Sequence, residues 1–342
     1  MKALVLSEYK KLNIQDIAIP SINDNEVLIK VHACGICGSD VHGYDGSTGR
    51  RIPPIVMGHE ASGVIVETGK SVSNWKLGTR VTFDSTIYCM HCDYCHQGLY
   101  NLCDNRRVLG VSCADYRQNG AFAEFIAVPE HILYELPDSV SFEQATLVEP
   151  VGVAFHAVNL VKNTLNDSVV VVGAGIIGLL VIQTLRLAGY GKIIAVDLDE
   201  KRLKTALKLG ADHVLLSNDQ TSSKVKELVG HHGADLAIDA VGISGTVATA
   251  LACTRKGGSL LLIGNLDPKI SFGLQEAVTR QILVQGSCAS NGEYDACLDM
   301  IARGAITVDP FISKVAPLEE GPLWFEKLYN HEDDLLKVIL KP

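Results

Sequence analysis

Soft and borderline metal ligands crowd two stretches of this chain. Between Cys34 and Glu60, in CGICGSDVHGYDGSTGRRIPPIVMGHE, residues Cys37, His59 and Glu60 offer a thiolate, an imidazole and a carboxylate, all of them zinc donors. Three protein donors leave one coordination position open, and an ion held that way acts as a Lewis acid on an alcohol oxygen. A second acid, Glu149 in LVEPVG, competes with Glu60 for the third place, and spacing alone does not choose between them. The other stretch is CMHCDYC, where Cys89, Cys92 and Cys95 form CxxCxxC and Cys103 follows after seven further residues. Four thiolates from so short a loop close a tetrahedral shell at little entropic cost, so this second zinc is expected to be structural. The run CxxCxxCxxxCP of an iron–sulfur protein is absent. With the shell closed, His91 and His96 read as solvated loop residues. Cys34, Cys113, Cys253, Cys288 and Cys297 read as small buried or loop side chains.

A redox partner for such an ion is written further along. Gly173, Gly175 and Gly178, with Ile176 and Ile177 between them, spell GxGxxG directly after the apolar run VVVV and directly before a helical pattern. That context lets a tight turn bring the backbone and a helix N-terminus to a pyrophosphate. Asp197 ends the next strand, about 20 residues on, where a carboxylate accepts the hydroxyls of an adenosine ribose. A carboxylate there, with Asp199 and Glu200 beside it, repels a 2′-phosphate, so NAD is expected rather than NADP, and Arg202 is expected to lie along the adenine. Ile263 and Gly264, ending the run SLLLIGN, complete the expected cofactor contacts.

Two different folds must carry these groups. From Met1 to Pro137 short alternating strands such as MKALVLSEY, EVLIKVHAC and ASGVIVETG are punctuated by Gly and Pro, which describes a β-rich, barrel-like domain. After SFEQATLVEPVGVAFHAVNLV, a helical pattern, strands that are apolar throughout alternate with amphipathic helices, the grammar of a doubly wound parallel sheet. The expected boundaries are 1–150 for the first domain, with 291–342 packing back on it, and 151–290 for the second. At 342 residues and 47% hydrophobic, the chain is long enough for both cores. A net charge of −9 argues against nucleic-acid or membrane-surface binding, because such binders need clustered Lys and Arg to meet phosphate, and leaves small molecules as the expected partners. MKALVLSEYKK lacks the apolar core and cleavage site of a secretory signal, and the glycines of Ser168–Leu185 break the longest uncharged run. A cytoplasmic protein without a membrane span is expected.

Taken together, GICGSDVH, GHEASG, CMHCDYC with Cys103, LVEP and VVGAGIIG stand in the order and approximate spacing of the zinc-dependent medium-chain dehydrogenases. The chain resembles that family over essentially its whole length, and within it the polyol (sorbitol dehydrogenase-like), butanediol and threonine dehydrogenase branch. Glu149 carries the distinction, standing where liver-type alcohol dehydrogenases have a second ligand Cys. The resemblance implies a GroES-like catalytic domain beside a Rossmann domain, two zinc ions per chain, and NAD. It implies that Cys37 and His59 hold the catalytic zinc with Glu60 as third ligand, and that Glu149 either ligates directly or orients water at the metal. Ser39 then receives the substrate proton, His42 relays it, and Asp40 orients His59. The implied reaction is reversible hydride transfer between NAD and a secondary alcohol of a polyol or sugar-like substrate. Threonine or a vicinal diol is the alternative substrate, and a zinc-stabilised NAD-binding protein without turnover is the alternative outside the enzymes. Family members form dimers or tetramers, commonly through the last Rossmann strand, for which SLLLIGN is the candidate edge. Two departures weigh against sorbitol itself: Gly43 follows the relay histidine where an aromatic is usual, and GSCASNG replaces an Arg-Tyr loop. Arg50, Arg51, Arg106 and Arg107 are the cations that a phosphorylated substrate would need, with solvated surface positions the simpler reading.

Overall fold

The computed structural model describes residues 1–230 and 232–342. The chain divides into two compact units, Met1–Glu149 with Tyr294–Pro342, and Pro150–Glu293.

The first unit is built on a seven-stranded sheet whose centre is the strand Glu26–Gly35. Val27, Ile29, Val31, Ala33 and Gly35 on one face are all buried, and on the other only Glu26, Lys30 and His32 are open, so the strand is covered for most of its length. Glu60–Thr68 pairs antiparallel along one side, placing Gly35 opposite Glu60 and Cys34 opposite Ala61. The C-terminal strand Lys337–Lys341 pairs antiparallel with the end of the same strand, with Ile339 opposite Gly35 and Leu340 opposite Cys34. Residues from the two ends of the chain therefore meet at one point, the Gly35 end of the central strand. Behind the sheet lies a core that includes Ile29, Ile65, Phe83, Phe122 and Phe325.

The second unit is a six-stranded parallel sheet. Its order is His213–Leu216, Lys192–Asp197, Ser168–Val172, Ala234–Asp239, Thr254–Leu262, Leu283–Gly286. All five residues of Ser168–Val172 are buried, as expected of a strand covered on both faces. Chain order reverses between Ser168–Val172 and Ala234–Asp239, so the carboxyl ends of these two strands form the switch point where such sheets bind ligands. One expectation is corrected here. SLLLIGN is not an edge: Ser259–Leu262 pairs with Ala234–Asp239 on one side and Leu283–Gly286 on the other. An uninterrupted apolar run belongs in a sheet interior, and the edge falls to the shorter Leu283–Gly286, whose Leu283 and Val284 side chains are exposed.

Among the described residues no helix is long and apolar enough to cross a membrane.

Candidate metal and dinucleotide sites

Cys37 stands one residue beyond the central strand and caps the helix Gly38–Gly43 in an extended conformation, its carbonyl accepting from Asp40 and Val41 N–H. His59 immediately precedes the strand Glu60–Thr68. The pairing of that strand with Glu26–Gly35 brings ligand atoms of Cys37, His59 and Glu60 within 4.8 Å of one another. His59 and Glu60 are buried. Glu149, the second residue of the helix Val148–Asn159, falls outside that group; its Oε1 accepts from Ser85 Oγ at 3.2 Å. Burial raises the Glu149 pKa, with Glu60 adding to the rise and His59 opposing it.

Each donor is held by a neighbour. His59 Nδ1 lies 3.5 Å from Asp40 Oδ2, and both atoms are buried without a hydrogen-bond partner. A ring N–H turned to a carboxylate is the usual support of a metal-ligating histidine. Asp40 is fully buried, and although burial opposes its charge, His59 and Arg51 hold its pKa at about 2. Glu60 forms a buried ion pair with Lys337, whose Nζ also donates to Ile36 O at 3.1 Å. Burial works against the Lys337 ammonium, but Glu60, Cys37 and Glu149 outweigh it and raise its pKa. The acids Asp40 and Glu60 are each paired with a buried cation, Arg51 and Lys337. A thiol, an imidazole and a carboxylate in mutual reach are zinc donors, so the donor chemistry fits that ion.

The expected proton path is only partly assembled. Ser39 is exposed, and its Oγ lies 3.4 Å from Cys37 Sγ and accepts from Arg51 Nη2 at 3.1 Å. Among the described residues no hydrogen bond joins Ser39 to His42. Partial burial, and then the neighbouring His331, lower the His42 pKa. The four cations expected as phosphate contacts also divide. Arg51 is buried against Asp40, Arg106 donates to Asn101 O, and Arg50 and Arg107 are exposed. The sequence reading missed Lys337 altogether and Arg51's part in the site. A lysine opening the otherwise apolar run KVIL was the available signal for the first.

The second cluster joins Cys89, Cys92, Cys95 and Cys103, whose sulfurs also lie within 4.8 Å of one another. A bond from Asn105 is the main cause that brings the Cys89 pKa down to about 5, whereas burial pushes Cys95 up to about 12. Four thiolates are jointly stable at such a spacing only around a cation, which fits a closed structural zinc. His91 and His96 are exposed.

In the second unit, Gly173 turns the chain with φ of +101°, and a side chain at Gly178 would overlap the Gly173 carbonyl. The helix Ile176–Leu187 then starts at Gly175, where the space a Cβ would occupy is open. Asp197 accepts from Ala174 N–H at 2.6 Å and from Asp199 N–H at 2.9 Å, which locks the loop and the carboxylate together. Arg202 Nε lies 3.9 Å from Asp199 Oδ2. Ile263 and Gly264 donate to Asp239 O at the carboxyl end of the neighbouring strand, on the switch-point edge of the sheet.

Residues 23–138 match the family model of the alcohol dehydrogenase GroES-like domain, and residues 177–303 that of zinc-binding dehydrogenases. The chain is 36% identical over 326 residues to a sorbitol dehydrogenase of Bombyx mori, covering 93% of this chain and 92% of that one. It is 34% identical over 339 residues to a D-arabitol-phosphate dehydrogenase of Enterococcus avium, covering 97% and 94%. An alcohol dehydrogenase from Escherichia coli CFT073, solved in complex with NADH, superimposes with a TM-score of 0.91 at 27% identity, covering 100% of this chain and 99% of that one.

Proposed function

This chain belongs to the zinc-dependent medium-chain dehydrogenases, and from that premise we propose that it transfers a hydride between NAD and a secondary alcohol of a polyol or sugar-like substrate. The observation that carries the reading is the convergence of Cys37, His59 and Glu60 on one point beside the exposed Ser39. Zinc bound there supplies Lewis acidity, which lowers the pKa of an alcohol. Cys37 and His59 would hold it, with Glu60 or Glu149 completing the set, and Asp40 would keep His59 turned. Ser39 Oγ takes the alcohol proton and passes it outward, to His42 or to solvent. The similarity to sorbitol and arabitol-phosphate dehydrogenases supports a polyhydroxylated substrate. A phosphorylated one would have to rely on Arg50 and Arg107, since Arg51 is engaged with Asp40.

Asp197 supports NAD over NADP, because its carboxylate is already fixed at the glycine loop. The expected result, read as absorbance of NADH, is zinc-dependent turnover with members of a panel of sugar alcohols, their phosphates, vicinal diols and threonine. Asp197→Ser should cut the preference for NAD over NADP by at least about tenfold, the loss of roughly one charge-assisted hydrogen bond. No turnover with any member by metal-replete protein would leave a non-catalytic NAD-binding protein, and unchanged preference would remove Asp197 from the cofactor site.

Among the described cysteines none is paired in a disulfide, which supports a reducing, cytoplasmic setting. The open edge Leu283–Gly286, with Leu274, Val278, Leu283 and Val284 exposed around it, supports a homodimer that continues the parallel-stranded sheet across a two-fold axis. Sedimentation at micromolar concentration should show a dimer or tetramer for the native chain, and Val284→Lys should shift it toward monomer. A native monomer would refute this assembly.

A further inference from the structure

Arg51 stands outside the donor set, yet its guanidinium touches both halves of the site. Nε and Nη2 donate to Asp40 Oδ1 at 3.2 and 2.9 Å, and Nη2 also donates to Ser39 Oγ at 3.1 Å. Its side chain is 4% exposed. A cation present only to neutralise Asp40 would fork onto both carboxylate oxygens, the geometry guanidinium favours. Here it spends both donors on one oxygen and shares one of them with Ser39, while Oδ2 stays free, 3.5 Å from His59 Nδ1. Room for the arrangement is built into the helix Gly38–Gly43, because a Cβ at Gly43 would overlap Arg51 Cγ. The glycine after His42 that departs from the family pattern thus coincides with the track of this side chain.

We propose that Arg51 is a positioning residue with two arms, one fixing Ser39 Oγ as the acceptor of the substrate proton and the other fixing Asp40 so that His59 is turned for the metal. The inference rests on the dehydrogenase reading, in which Ser39 receives that proton. A serine hydroxyl has one hydrogen and two acceptor positions, and a guanidinium only donates. With one acceptor position filled by Arg51, the Ser39 hydrogen is directed away from it, toward Cys37 Sγ at rest, and the second acceptor position is left for the alcohol. When the alcohol O–H bond breaks and a new O–H bond forms at Ser39, the original Ser39 proton departs to His42 or to water at its exposed face. One proton enters and one leaves. The adjacent positive charge disfavours any state in which Oγ keeps both.

The test uses the zinc-loaded full chain with Ser39→Ala, Arg51→Gln, Arg51→Lys and the double variant Ser39→Ala/Arg51→Gln. Steady-state kinetics, the solvent deuterium isotope effect, and the rate of zinc loss to a chelator without substrate are read for each. Arg51→Gln should lower kcat by about 10- to 100-fold with KM changed less than about threefold, raise the isotope effect, and speed zinc loss. Ser39→Ala should lower kcat and leave zinc loss unchanged. Per bound zinc, the double variant should be no slower than Ser39→Ala alone, because Arg51 acts on proton transfer through Ser39. Arg51→Lys should restore zinc retention more fully than kcat, since it keeps the charge but loses the fork. Additive losses of kcat per bound zinc, or an unchanged kcat per bound zinc in Arg51→Gln, overturn the Ser39 arm; unchanged zinc loss overturns the Asp40 arm. Should Arg51→Gln not fold, Gly43→Ala displaces the same stem and is read the same way. A native chain that oxidises no alcohol defeats the dehydrogenase reading and with it the Ser39 arm, while zinc loss still decides the Asp40 arm.

Discussion

Cys37→Ser protein is expected to carry one zinc per chain where the native protein carries two, and to form NADH at least about 1000-fold more slowly. The factor follows from the several kcal/mol that a Lewis acid contributes to stabilising charge on a reacting oxygen. The substitution isolates the metal because serine preserves size and suits the capping position that Cys37 occupies before the helix Gly38–Gly43, so the backbone has no reason to move. Cys103→Ser should give the complementary result. It also lowers zinc from two to one, but through the four-sulfur lobe, where the ion contributes folding free energy and no chemistry. Thermal stability should fall while kcat per intact site changes little. Metal analysis by mass spectrometry beside kinetics separates the two losses. Retention of both zinc ions in Cys37→Ser, or full activity in it, would remove Cys37 from the catalytic centre.

How much of this could be read beforehand depended on where each partner lies in the chain. CxxCxxC and GxGxxG are legible because a few adjacent residues set the geometry of a thiolate cage or a phosphate turn. Asp197 was legible for a related reason, since one strand–helix–strand unit fixes its distance from the glycines. Cys37 and His59 were legible as donor types, but their meeting depends on the pairing of Glu26–Gly35 with Glu60–Thr68, a register that neither segment specifies alone. Lys337 lies 277 positions from Glu60, and no local pattern announces that the last strand returns to the first sheet. The edge of the parallel sheet was misread for the same reason. Apolarity marks Ser259–Leu262 as a strand, and only the position of its neighbours shows that Leu283–Gly286 lies outside it.

Lys337→Met should have its largest effect on the metal-free protein. The native pair with Glu60 is 1% exposed on both sides, and Gly35 makes the space for it, since a Cβ there would fall 2.6 Å from Glu60 Oε2 and 3.2 Å from Lys337 Cδ. Methionine keeps the stem and its packing but removes the ammonium, leaving the buried Glu60 carboxylate without its ion-pair partner. Breaking one side of a buried pair costs about 3–5 kcal/mol, a fall in Tm on the order of 10 °C. Zinc restores the missing positive charge, so the gain in Tm on adding zinc should be larger in Lys337→Met than in the native protein. Glu60→Gln added to Lys337→Met removes the stranded charge and should recover most of the metal-free stability. The same three proteins bear on the third ligand. If Glu60 binds the metal, freeing it from Lys337 slows zinc loss to a chelator, and Glu60→Gln abolishes that gain. If Glu149 is the ligand, held meanwhile by Ser85, zinc retention in the double variant stays close to native. A metal-free Lys337→Met protein as stable as the native one would show that the ammonium does not hold Glu60 in place.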